Sequence, residues 1–112
     1  MTRTLHDKAA IAGIGATEFS KESGRSELRL AVEAIGAALD DAGLRPQDVD
    51  GMSVFTMENN PEIEVFRQIG GHELKFFSRI HYGGGAACAT IHQAAMAVAT
   101  GVAECVVCYR AM

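Results

Sequence analysis

Three consecutive glycines, Gly83-Gly84-Gly85, constrain this chain more than any other feature, because they join an aromatic run to a long alanine-rich one. Phe76-Phe77-Ser78-Arg79-Ile80-His81-Tyr82 reads as a strand, aromatic and β-branched. Glycine tolerates positive φ and brings no side chain, so the triplet allows a sharp turn and close backbone approach. From Ala86 to Thr100 the residues are mostly alanine, with Cys88, Ile91, Met96 and Val98 and few polar breaks (Thr90, His92, Gln93). A helix apolar nearly all round is predicted to be buried. Val102 to Tyr109 then returns as a strand. A glycine turn feeding a buried helix leaves unpaired backbone N–H groups at the positive end of the helix dipole. Gly83, Gly84 and Gly85 are therefore the candidate binding site, with His81 and Tyr82 directly before them.

At 112 residues the chain holds one domain or less. Its 48% apolar and 21% charged content suits a chain that buries a core. So much alanine and glycine, however, implies close-packed backbones that a chain this short hardly encloses alone. Residues 1–112 are therefore expected to form part of a larger fold; a small dimer-forming domain is the plainer alternative. A net charge of −4 without a Lys/Arg cluster argues against a nucleic-acid surface. The polar N-terminus lacks the apolar stretch of a signal peptide, and no run reaches membrane length. Three cysteines, Cys88, Cys105 and Cys108, fit reduced thiols, and a cytoplasmic location is expected.

Ala9-Ala10-Ile11-Ala12-Gly13-Ile14-Gly15 reads as a first buried strand. A dinucleotide fingerprint at Gly13-Ile14-Gly15 fails, since position 18 is Glu where the third glycine belongs. Ser26 is a candidate N-cap, with Glu27 in the first turn. Leu28, Val32, Ile35, Leu39 and Ala42 share one helical face, with Arg29, Glu33 and Asp40 opposite, and Gly43 ends the helix. Val49 to Thr56 contains a second strand. Met57-Glu58-Asn59-Asn60 is a loop, and Pro61 opens a short helix carrying Ile63, Val65, Phe66 and Ile69, closed by Gly70-Gly71. The predicted order is β-α-β-α-β-α-β: an α/β fold, mostly parallel, with helices on both faces and a buried central helix. Ligands of such sheets gather beyond the carboxyl ends of the strands, where Gly83 to Gly85 fall.

Cys105-Val106-Val107-Cys108 has ligand-like spacing, but i and i+3 on a strand point to opposite faces, and no second pair exists, so no metal is expected. His6, His72, His81 and His92 show no paired spacing; His92 suits a hydrogen-bonded core position. A strand-turn-helix that presents Ser or Cys at its elbow serves acyl transfer. Here the elbow holds glycine, and Cys88 falls about one turn inside the helix, expected buried.

Ala9 to Lys21 and Gly101-Val102-Ala103-Glu104-Cys105-Val106 resemble the opening strand and the strand after the central helix of the thiolase superfamily, sterol-carrier-type branch. Ser23-Gly24-Arg25-Ser26-Glu27-Leu28-Arg29-Leu30 and His81-Tyr82-Gly83-Gly84-Gly85-Ala86-Ala87-Cys88-Ala89-Thr90 most closely resemble the lipid-transfer-protein-type steroid side-chain aldolases of actinobacteria. In the thiolase branch a reactive cysteine starts the central helix; counting back with the family's spacing lands on Gly84, not Cys88. The resemblance implies part of the N-terminal half of a thiolase fold. It also implies retro-aldol cleavage of a steroid side-chain β-hydroxyacyl-CoA to a ketosteroid and propionyl-CoA, in bacterial sterol degradation. No cofactor is implied beyond the CoA of the substrate, and the catalytic tyrosines are expected outside this chain.

Assembly follows from the same resemblance. Thiolases pair their third strand antiparallel with its twin across a two-fold axis, which places Phe76, Phe77, Ser78, Arg79 and Ile80 at a homodimer interface. Family members also work with an OB-fold acyl-CoA-associated partner protein, in heterotetramers. Two other readings stay open from the residues: a thiolase using Cys88, and a non-catalytic scaffold that binds acyl-CoA.

Overall fold

The computed structural model describes residues 6–20, 23–56, 58–81 and 84–111. Among them run helix α1 (Glu27–Ala42), strand β1 (Gly51–Phe55), helix α2 (Glu62–Ile69), strand β2 (Phe76–Ile80), helix α3 (Gly84–Ala99) and strand β3 (Val106–Cys108). A 3₁₀ turn at Pro46–Asp48 leads into β1. The strands make one parallel sheet in the order β2-β1-β3.

The helix ends follow their sequence signals. Ser26 Oγ accepts the Arg29 N–H at 3.1 Å, and Glu27 sits in the first turn of α1. Gly43 (φ 73°) and Gly70 (φ 89°) close α1 and α2 in the left-handed conformation. Ala31, Ile35 and Leu39 point inward, while Arg29, Glu33 and Asp40 face solvent.

All five residues of β1 are buried. Met52 and Val54 cluster with Ala31, Ile35, Leu39, Val65 and Phe66, so α1 and α2 cover one face. Gly51 and Ser53 alternate to the other face, where α3 lies across all three strands. A Cβ on Gly51 would come within 2.9 Å of Val106 and 3.4 Å of Ala103, so the central strand starts on a residue without a side chain. The buried Ser53 hydroxyl meets Ser78 Oγ at 2.9 Å on the neighbouring strand, which leaves neither group orphaned. Below the sheet's amino edge the Asp50 carboxylate accepts the N–H groups of Glu104 (3.0 Å) and Cys105 (2.9 Å).

Four expectations need correction. Ala9–Gly15 forms no ladder among the described residues, and Ile11 and Ile14 are 72% and 77% exposed rather than buried. The segment rests instead on α1: a Cβ at Gly13 or Gly15 would collide with the carbonyls of Ala38 or Ala34, and the Ile14 N–H goes to the Asp41 carboxylate at 2.9 Å. Strand β3 is shorter than Val102 to Tyr109, because Gly101 (φ 79°) still turns the chain and Asp50 captures the amides that precede Val106. Helix α3 begins at Gly84, not Ala86, so two of the three glycines are helical. Its burial is one-sided: Ala86, Thr90 and Ala97 are buried, whereas Cys88, Ile91, His92 and Met96 are exposed. Among the described residues one sheet supplies one packing surface, which accounts for the stripe. Among the described residues no helix is long and apolar enough to cross a membrane.

Met52→Ala removes a fully buried side chain from the centre of the sheet. It is expected to lower stability by about 2–5 kcal/mol in urea unfolding. Ile63→Ala, at an exposed position of α2, should stay within about 0.5 kcal/mol.

Candidate functional site

Because the strands are parallel, Phe55, Ile80 and Cys108 end at one edge of the sheet, the edge where ligands of α/β folds sit. His81 follows β2 there and is exposed, and the first turn of α3 opens at Gly84. The first four N–H groups of an α-helix have no intrahelical acceptor and carry its positive partial charge. Gly85 is exposed, and a Cβ built on it would meet nothing within 4 Å, so space for a bulky group adjoins these amides. The predicted residues Tyr82 and Gly83 lie outside the described residues.

The thiols divide by position. Cys88 is exposed, not buried as expected, because it lies on the stripe of α3 turned away from the sheet. It sits four residues beyond Gly84, about 6 Å farther along the axis, so the helix opens on glycine and not on sulfur. Cys105 packs against the α1–α2 cluster, while Cys108 Sγ points to the Thr90 carbonyl at 3.5 Å on the α3 side. The spacing thus does place them on opposite faces. Burial pushes both thiols above their ordinary range; the carboxylates of Asp50 and Asp48 add to this at Cys105, and the Thr90 contact partly opposes it at Cys108. Among the described residues no group of three His, Cys, Asp or Glu could hold a metal ion. His92, expected as a core histidine, is exposed on the same outer stripe of α3.

Sequence reasoning missed the polar network at this edge. Glu58 was read only as part of a loop, yet its side chain is 0% exposed. Its carboxylate accepts the backbone N–H of Ala111 (2.6 Å), the backbone N–H of Asn60 (3.0 Å) and Asn60 Nδ2 (2.6 Å), with Arg110 Nη1 at 3.6 Å. Arg79 donates from Nη1 to the carbonyls of Phe55 (3.3 Å) and Glu58 (2.8 Å) and pairs through Nη2 with Glu62 at 2.9 Å. The Tyr109 hydroxyl donates to the Asn60 carbonyl at 2.9 Å. Burial, and then the Glu58 and Glu62 carboxylates, hold the Tyr109 phenol well above its ordinary range, so it is a donor here and not a base. The one available signal was a glutamate placed directly beyond an apolar strand.

A broad open concavity of about 1350 Å³ lies elsewhere, between Ala9–Gly15 and β3. Alanines 38, 42 and 95 and residues of β3 are among those that line it. It is the open flank of the sheet and brings none of the predicted site residues together.

No protein-family model matches the chain. It is 71% identical over 107 residues to a steroid side-chain-cleaving aldolase from Thermomonospora curvata, covering 96% of this chain and 27% of that protein. It is 69% identical over 107 residues to a 17-hydroxy-3-oxo-4-pregnene-20-carboxyl-CoA lyase from Mycobacterium tuberculosis, covering 96% and 28%. The solved Ltp2-ChsH2(DUF35) aldolase superposes with a TM-score of 0.89 at 70% identity over 92% of this chain and 27% of its own. A monomeric SCP2-thiolase-like protein from Mycobacterium smegmatis shares the fold, with a TM-score of 0.72 at 24% identity over 88% of this chain and 22% of its own. The chain carries part of a thiolase-like fold. The resemblance read from its motifs to steroid side-chain aldolases holds, in relatives about 70% identical to this chain. It spans about a quarter of the length of these curated relatives.

Iodoacetamide at neutral pH is expected to label Cys88 first, read by peptide mass spectrometry. Cys105 and Cys108, half-buried and with raised pKa values, should react later, on unfolding or at higher pH, where their thiolates form.

Proposed function

We propose that this segment serves a carbon–carbon lyase that cleaves a steroid side-chain β-hydroxyacyl-CoA by a retro-aldol reaction, releasing a ketosteroid and propionyl-CoA. The observation that carries the reading is the opening of α3 on Gly84 and Gly85 at the carboxyl edge of the sheet, with no nucleophile at that position. The names of relatives about 70% identical to this chain support the same activity.

Thiolytic cleavage of a β-ketoacyl thioester requires a nucleophile that accepts an acyl group. Retro-aldol cleavage does not. A base removes the hydroxyl proton, the Cα–Cβ bond breaks, and its electron pair leaves the thioester as an enolate; a proton delivered to the α-carbon completes propionyl-CoA. What the site must supply is stabilisation of negative charge on the thioester oxygen. Preorganised donors do this, each worth ~2.7–4 kcal/mol in the transition state. In this reading the first-turn amides of α3 contribute that field, and the glycines leave room for the steroid. Tyr109 is already committed to Asn60, and the base is assigned, as the family resemblance implies, to tyrosines outside this chain. CoA enters as part of the substrate, and the reaction needs no other cofactor.

The same reading gives the assembly. β2 is an edge strand of the sheet with Phe77 65% exposed, a row that invites pairing with a second copy along Phe76–Ile80. The solved aldolase named with both Ltp2 and a DUF35 component supports a partner protein, which we assign to the OB-fold acyl-CoA-associated class, in a cytoplasmic complex.

In the full gene product, a steroid β-hydroxyacyl-CoA should be cleaved without added CoA, followed by chromatography of the ketosteroid, and Cys88→Ala should leave the rate unchanged. A strict requirement for free CoA, or inactivation by that substitution, would return the reading to a thiolase. Ser78→Pro removes a backbone donor from β2 and should shift sedimentation toward monomer; a fully dimeric variant contradicts the placement.

A further inference from the structure

At the carboxyl edge of the sheet, loop 58–60 gathers contacts from the start of α1, from β2 and from the chain beyond β3. Asn59 Nδ2 donates to Glu27 at the start of α1 (3.1 Å), and Arg79 of β2 holds the Glu58 carbonyl (2.8 Å). Tyr109 and Ala111, just past β3, bond to Asn60 and Glu58, and Arg110 lies 5.5 Å over the Phe55 ring. The Thr56 N–H reaches the Ile80 carbonyl at 2.9 Å, so the loop begins fixed to the residue that precedes His81. At the centre is a fully enclosed carboxylate with three N–H donors and an arginine. A charge out of water is retained only where such partners compensate it.

We propose that Glu58 is a positioning residue for the lyase reaction: its carboxylate fixes the loop after β1 and the chain leaving β3 in one arrangement at the carboxyl edge of the sheet, the edge at which α3 opens. The proposal rests on the activity proposed above. Glu58 touches no reacting atom in this account. It acts through Asn60, Ala111 and, by way of its carbonyl, Arg79, which lies two residues before His81 and five before Gly84.

The sheet contains its own control. Asp50, half-buried, clamps backbone at the opposite edge, accepting the amides of Glu104 and Cys105 where α3 ends and not where it opens. If such clamps contribute stability alone, breaking either should have the same consequence for turnover.

The test compares E58Q, E58D and D50N in the full gene product with its partner, measuring kcat, KM and Tm with a steroid β-hydroxyacyl-CoA. E58Q is expected to lose about 10- to 100-fold in kcat, the usual cost of a small misplacement of reacting groups. KM should move by less than about twofold, and E58D should recover part of the loss. D50N should lower Tm yet keep the wild-type kcat. A folded E58Q with wild-type kcat overturns the proposal, as does a D50N variant that loses kcat to the same extent. Should E58Q not fold, Tyr109→Phe deletes only the bond to Asn60; a several-fold fall in kcat with Tm nearly unchanged supports the assignment, and an unchanged kcat overturns it. A wild-type protein that cleaves no β-hydroxyacyl-CoA would sink the proposed activity itself and this inference with it, an outcome distinct from all of these.

Discussion

Strand β1 is enclosed from every direction, and the rest of the structure follows from that enclosure. Met52 and Val54 need α1 and α2 on one face, Gly51 and Ser53 need α3 on the other, and the backbone needs β2 and β3 on its two sides. Each unpaired amide in such a strand would cost about 1–3 kcal/mol. Parallel pairing on both sides satisfies them and brings all three carboxyl ends to one edge. The site is therefore a consequence of how the core is satisfied, and its position does not depend on any one catalytic side chain.

Carboxylates hold the two ends of this arrangement in different ways. At the amino edge Asp50 takes backbone amides before β3 begins, which shortens that strand to three residues. At the carboxyl edge Glu58 ties the loop after β1 to the chain after β3. Both act as local substitutes for ladder hydrogen bonds where regular pairing stops. Only the second lies at the edge where the glycine-opened helix begins.

Much of this was legible in the residues, and the failures have a common cause. Local signals worked: the Ser26 cap, Gly43 and Gly70 as left-handed stops, and the parallel alternation of strands with helices. So did the argument that Cys105 and Cys108 face opposite ways. Expectations that needed knowledge of what lies across a surface went wrong. Ala9–Gly15 has the composition of a buried strand, but among the described residues only α1 receives it. The alanine-rich helix has apolar residues all round, yet one sheet covers one stripe, so Cys88 and His92 emerge into solvent. The Glu58 network was invisible because its partners, Asn60, Arg79, Tyr109 and Ala111, come from three separate parts of the chain, and no short-range pattern marks long-range pairing.

In the proposed reading the chemistry turns on a helix that opens on glycine, at the position the resemblance assigns to a thiolase cysteine, with donors for an enolate and space for a steroid. Gly85→Val in the full gene product probes that space directly, because a Cβ there meets nothing within 4 Å. The account predicts that kcat/KM for a steroid β-hydroxyacyl-CoA falls by about 100-fold, a large discrimination for one added side chain. A short-chain β-hydroxyacyl-CoA should keep its rate. Undiminished cleavage of the steroid substrate by this variant would contradict the account.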